Sequence, residues 1–116
     1  MKEIVLDRIN QAYKGELGKR IQEDAEKRIQ WICSNVAGMK ILDVGCSQGI
    51  TSLLLGRLGK NVIGVDIIPE QIDYARNELA NESEFVQNQV RFCCGDFSEF
   101  DFGKEKFDTI IMGECL

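Results

Sequence analysis

Lys40 to Gly56 reads KILDVGCSQGITSLLLG, and the fold follows from it. The apolar run Ile41, Leu42, Val44 ends in a turn carrying Gly45 and Gly49, and a second apolar pattern starts at Ile50. That order is strand, glycine-bearing loop, helix. Such a loop is expected to turn the first amides of the helix toward whatever lies beyond the strand end. Gly45 permits a turn that side chains resist, Gly49 permits close approach, and Asp43 places an acceptor beside both.

Working outward, Asn61 to Asp66 (NVIGVD) is a second apolar strand ending in an acid. Ile50 to Leu58 between them is a short helix, with Leu54 and Leu58 on one face and Gly59 closing it. Strand, helix and strand at this spacing predict a parallel pair with a right-handed crossover. Pro69 starts a helix, PEQIDYARNELA, with Ile72, Ala75 and Leu79 at core spacing. Val90 to Cys94 is the third strand and leads into Gly95-Asp96. Asp96 to Lys106 is a polar connection anchored by Phe97, Phe100 and Phe102, and Phe107 to Met112 is the fourth strand. Toward the N-terminus, Ile21, Ala25, Ile29, Ile32 and Val36 recur at helical spacing, with Gly38 as the stop. A weaker helix holds Ile4, Leu6 and Ile9. Residues 1–37 are thus a helical segment and 38–116 the main domain. The segment is expected to cover the sheet. The alternative is a lid placing Tyr13 or Lys14 over a ligand.

Composition narrows the function. With 44% hydrophobic and 28% charged residues, the 116-residue chain is a folded globular one. Its net charge of −5 is uneven: residues 1–40 carry 8 basic and 6 acidic groups, residues 41–116 carry 6 and 13. No basic stripe follows Lys40, which argues against a nucleic-acid partner. No apolar run approaches the roughly 18 residues a membrane span needs, and the charged start MKEIVLDR is not a signal peptide. Five cysteines without C-x-x-C spacing, and no histidine at all, argue against zinc and for a reduced, cytoplasmic protein. Cys93 and Cys94 read as small apolar residues of a buried strand, and Asp101 and Asp108 as ordinary acids.

Asp43, Asp66 and Asp96 fall at the same end of three successive strands, where an open parallel sheet binds its ligands. An acid at the tip of the second strand suits a ribose diol. A dinucleotide fingerprint starting at Gly45 would need glycine at Ser47 and Ile50, and no G-K-[ST] follows, so neither dinucleotide nor Walker loops fit.

The segment Asp43-Val44-Gly45-Cys46-Ser47-Gln48-Gly49 resembles the first motif, D/E-x-G-x-G-x-G, of class I S-adenosylmethionine-dependent methyltransferases. VIGVDIIPEQIDYAR, CCGDF and FDTIIMGECL resemble that family's second, third and fourth strand motifs, covering Met39 to Leu116 in order. The resemblance implies a Rossmann-like α/β fold with helices on both faces. Of the family's strand order 3-2-1-4-5-7-6, the chain supplies 3-2-1-4 and is truncated after its fourth strand. It also implies S-adenosylmethionine as cofactor and S-adenosylhomocysteine as product. By this resemblance Asp43 and Gly45 lie near the methionine moiety, and the backbone of Cys46 and Gly49 lines the loop. Asp66 accepts the ribose hydroxyls, Ile67 packs on adenine, and Asp96 takes the adenine amino group with Phe97 beside it. Gly113 and Glu114 border the methyl, and Glu114 is the candidate base for a protonated acceptor. The one departure in the loop is Ser47, where the middle glycine is usual. Cys46, with no histidine to activate it, is expected to fill space and not to act as a nucleophile. The acceptor is expected to be a small molecule, and the uncovered fourth strand offers an edge for self-association. A module that binds the cofactor without turnover is the alternative to an enzyme.

Overall fold

The computed structural model describes residues 19–100 and 106–112, except for the side chains of residues 19–22, 25 and 26. The weak first helix, Tyr13, Lys14, Asp101, Phe102, Gly113, Glu114 and Cys115 lie outside the described residues. Two compact units, Met1–Val36 and Ala37–Leu116, make up the chain.

In the first unit, α1 (Lys19–Asn35) is the amphipathic helix read from the sequence. It stops at Asn35, three residues before the expected Gly38, and the Asn35 side-chain amide donates back to the Trp31 carbonyl at 2.7 Å. Ile29 and Cys33, four residues apart, are buried, while Glu23, Asp24, Lys27 and Arg28 are exposed.

The second unit is a four-stranded parallel sheet, order β3-β2-β1-β4, built from β1 (Lys40–Val44), β2 (Asn61–Asp66), β3 (Val90–Cys94) and β4 (Thr109–Ile111). Three helices connect the first three strands: α2 (Ile50–Arg57), α3 (Pro69–Ala80) and α4 (Glu84–Gln89). Ile50, Ser52, Leu53, Leu54, Leu55 and Gly56 of α2 are all buried, so this helix is apolar almost all round and belongs to the core. Leu58, expected on its core face, caps the helix instead and is exposed. In α3, Ile72 and Ala75 are fully buried. Phe92 lies under this layer: a Cβ on Gly64 would fall 2.8 Å from its ring and one on Gly49 2.7 Å. Both glycines are therefore needed for β2 and the loop to close on that ring.

α4 has no counterpart in the sequence reading. Val86 is its one buried residue, too little to generate a period, and Ser83 caps it by accepting from the Val86 amide. Cys94 is exposed and Cys93 half-buried, because β3 is an outer strand whose end has little above it; the expectation of two buried thiols is corrected.

Strands β1 to β3 step one way across the sheet, and the chain then returns to β4 on the far side of β1. Right-handed crossovers put such a returning connection on the opposite face. There Leu42, Val44, Ile63 and Val65 form a buried cluster that packs with Cys93, Phe97, Phe100 and Phe107. The connection holds one 3-10 turn, Phe97–Glu99, among the described residues.

β4 is shorter than the expected Phe107–Met112, because Asp108 precedes it in a different role. Its carboxylate accepts from the Met39 and Lys40 amides at 2.8 and 3.0 Å, and its own amide donates to the Lys40 carbonyl at 2.7 Å. Thr109 Oγ1 meanwhile donates to the Ala37 carbonyl at 2.7 Å. These bonds fix the register Ile41↔Thr109 before the ladder begins. Asp108 is thus a clamp and not an ordinary surface acid.

Candidate functional site

Parallel strands place Val44, Asp66 and Cys94 at one edge of the sheet, and the segments beyond them converge there. The loop Gly45–Gly49 runs from β1 into α2 with Gly45 and Gly49 at φ +74° and +84°. Its amides turn inward. Gly45 and Cys46 both donate to the Val65 carbonyl at 2.8 and 2.9 Å, Ser47 donates to Asp66 Oδ2 at 2.9 Å, and Gly49 donates to the Cys46 carbonyl at 3.0 Å. These four amides belong to the loop, ahead of the first helical amides at Ile50. All four are taken up within the chain, in keeping with the failed dinucleotide and Walker patterns.

Ser47 occupies the left-handed region at φ +54°. That conformation is why a glycine suits this position, and it is reached here because the Ser47 amide must point at Asp66. Asp66 accepts on its other oxygen from the Ile68 amide at 2.9 Å, so one carboxylate ties the loop to the turn before α3. Two bonds leave further lone pairs on both oxygens. Asp43 is buried and accepts from Ser52 Oγ at 2.8 Å, fixing the start of α2 against β1. Asp96 Oδ1 accepts from the Ser98 amide and hydroxyl at 2.9 and 2.8 Å, and these bonds, the amide's first, hold its pKa below the usual carboxylate value. Burial, reinforced by Asp43 and Asp66, pushes the Cys46 thiol far up, so it stays protonated and is no nucleophile.

A cavity of about 390 Å³ opens at this edge, lined by Val44, Gly45, Val65, Asp66, Ile67, Ile68, Gly95, Asp96 and Phe97. Of the residues singled out from sequence, Gly45, Asp66, Ile67, Asp96 and Phe97 line it together. Asp43, Cys46 and Gly49 are buried and are not part of that lining. Gly113 and Glu114 lie outside the described residues. The sequence reading missed Ile68 and Gly95. Gly95 at φ +149° continues the ladder by donating to the Asp66 carbonyl at 2.9 Å, and only the fold brings it to the cavity floor.

The described lining contains two carboxylates and no lysine or arginine. Ile67, 68% exposed, offers a bare apolar surface at the mouth. Such a lining favours a neutral or cationic ligand with apolar surface over a phosphate.

A family model described as a methyltransferase domain matches residues 41–116. The chain is similar to the mitochondrial ubiquinone biosynthesis O-methyltransferase of Homo sapiens, at 56% identity over 79 residues, covering 68% of this chain and 21% of that protein. It is also similar to the magnesium-protoporphyrin O-methyltransferase of Rhodobacter capsulatus, at 33% identity over 82 residues, covering 71% and 34%. Among solved structures, magnesium protoporphyrin IX methyltransferase from Synechocystis PCC 6803 with bound SAM superposes with a TM-score of 0.66 at 23% identity, covering 90% of this chain and 53% of that one. That likeness shows a shared fold, the Rossmann-like sheet. The chain spans about a third or less of the length of these two curated relatives. With the matched segment running from the first strand through the fourth, the chain belongs to the methyltransferase-domain family.

Proposed function

We propose that this chain is the S-adenosylmethionine-binding part of a methyltransferase, acting on a small-molecule acceptor. The observation that carries it is the single cavity that brings Gly45, Asp66, Ile67, Asp96 and Phe97 together with no cation in its described lining. Asp66 would accept from the ribose hydroxyls while holding the Ser47 and Ile68 amides, so the loop and the acceptor group cannot drift apart. Ile67 and Phe97 would enclose the adenine, and Asp96, its Oδ1 held by Ser98, would present Oδ2 to the exocyclic amine. Gly45 would lie against the methionine moiety, with Asp43, Cys46 and Gly49 supporting the loop from behind. Gly113 and Glu114 are assigned to the methyl end by family pattern alone.

When bound, this cofactor supplies a methyl group already activated on a sulfonium. The chain's own task is then to hold the ligand in line with an acceptor and to exclude water. The acidic character of residues 41–116 supports a small acceptor over nucleic acid, as do the substrates in the names of the two curated relatives. Among the described residues no helix is long and apolar enough to cross a membrane. Nothing in the described geometry favours a module without turnover.

Calorimetric titration with S-adenosylmethionine, S-adenosylhomocysteine and NAD tests this reading. The expected result is saturable binding of the first two and none of NAD. Binding of NAD in preference to them would overturn it.

A further inference from the structure

We propose that Gln48 is a specificity-determining residue, its side-chain oxygen accepting a hydrogen bond from the ammonium at the amino-acid end of the bound cofactor. This rests on the S-adenosylmethionine reading of the cavity and adds to it a residue at a position that the loop motif leaves open.

Gln48 Oε1 is buried and has no hydrogen-bond partner, the one side-chain oxygen or nitrogen among the described residues in that condition. The buried carboxylate of Asp43, by contrast, accepts from Ser52 Oγ at 2.8 Å. An amide oxygen removed from water without a donor bears its desolvation cost unrelieved, and folded proteins keep few such groups. A donor brought by a ligand relieves it.

The place of Gln48 in the loop identifies that donor. Gly49 donates to the Cys46 carbonyl at 3.0 Å, so Ser47 and Gln48 are the two central residues of a tight turn. The Ser47 amide is held on Asp66 Oδ2 at 2.9 Å, which ties the backbone carrying Gln48 to the proposed ribose acceptor. Gly45 lines the cavity, and Gln48 follows three residues on, at most about 10 Å away along the chain. A ligand with its adenine between Ile67 and Phe97 and its ribose at Asp66 extends its amino-acid end past Gly45, along this loop. Its ribose hydroxyls and adenine amine already have acceptors in Asp66 and Asp96, which leaves the ammonium.

Charge agrees with this choice. Burial pushes the Cys46 thiol up, and Asp43 and Asp66 push it further, so the loop stands in a negative field that favours a cation. A neutral amide oxygen then replaces part of the cation's hydration without adding another carboxylate beside those two.

Calorimetric titration of the 116-residue chain and its Gln48 variants tests the proposal. The probes are S-adenosylhomocysteine and methylthioadenosine, which keeps adenine, ribose and sulfur but lacks the amino-acid end. Gln48→Leu removes the oxygen and keeps the bulk. It should weaken S-adenosylhomocysteine binding about tenfold and leave methylthioadenosine binding within about twofold of wild type. Gln48→Glu keeps an acceptor and should bind S-adenosylhomocysteine at least as tightly as wild type near neutral pH. In the wild-type chain, the Gln48 side-chain NH2 signals should shift in an NMR titration with S-adenosylhomocysteine and stay in place with methylthioadenosine. That measurement decides the contact even where a variant folds poorly. Unchanged S-adenosylhomocysteine affinity in Gln48→Leu, an equal loss for both ligands in the folded variant, or NH2 signals that ignore S-adenosylhomocysteine would overturn the proposal and leave the cavity reading standing. Failure of the wild-type chain to bind either ligand would overturn both.

Discussion

Asp66 holds the Ser47 and Ile68 amides with its two oxygens, a structural role to which the proposed ribose contact would add a binding one. Replacing it by alanine strips both amides of their acceptor. Asp66→Ala should therefore lower unfolding free energy by about 1–3 kcal/mol, read by urea titration, and weaken S-adenosylhomocysteine affinity by a further 1–3 kcal/mol or so. Folded protein with unchanged affinity would remove the ribose assignment. Ser47 poses the opposite case. At φ +54° it carries a left-handed penalty of about 1–2 kcal/mol, partly offset by the chain entropy a glycine would lose. Ser47→Gly should raise stability by about 0.5–1 kcal/mol and leave affinity unchanged, since the bond to Asp66 comes from the backbone.

At the scale of elements, the start of α2 depends on space. Gly49→Ala forces a left-handed alanine whose Cβ meets the Phe92 ring at 2.7 Å and the Ala75 Cβ at 3.0 Å. Strain and overpacking together should cost about 2–4 kcal/mol, seen as a lowered thermal midpoint. The joint between β1 and β4 depends on charge. Bonds to the Lys40 and Met39 amides depress the Asp108 pKa below its ordinary 3.8. A depressed carboxylate stabilises the fold above its unfolded pKa, and that contribution is lost as pH falls through the folded value. Denaturation followed from about pH 5 to about pH 2 should lose stability on acidification, and Asp108→Asn should flatten that slope. Elements were legible where they rested on local pattern: the apolar runs of β1, β2 and β3, Pro69 before α3, Gly59 after α2. They were not legible where one contact decides. α4 rests on Val86, the clamp at Asp108 joins residues 69 apart in sequence, and the inward amides of the loop answer to a carbonyl on the neighbouring strand.

Taken whole, the second unit gathers charged residues at both ends of its strands, with Asp108 at the amino end. The carboxyl end gathers Asp43, Asp66 and Asp96, and the amino end places Lys40 and Arg91 around a cavity. S-adenosylhomocysteine, zwitterionic overall, should bind almost equally in low and high salt; paired titrations at the two ionic strengths would show it. The three strand-tip acids could be placed from sequence because strand ends share a side in any parallel sheet, but the cations could not, since that required knowing which strands adjoin. One further consequence comes from the Val65 carbonyl, which receives both the Gly45 and the Cys46 amide. The loop hangs from the residue just before Asp66, so both are referenced to a single point on β2. A movement of β2 therefore carries the loop and the acid together, and the cavity between them keeps its shape.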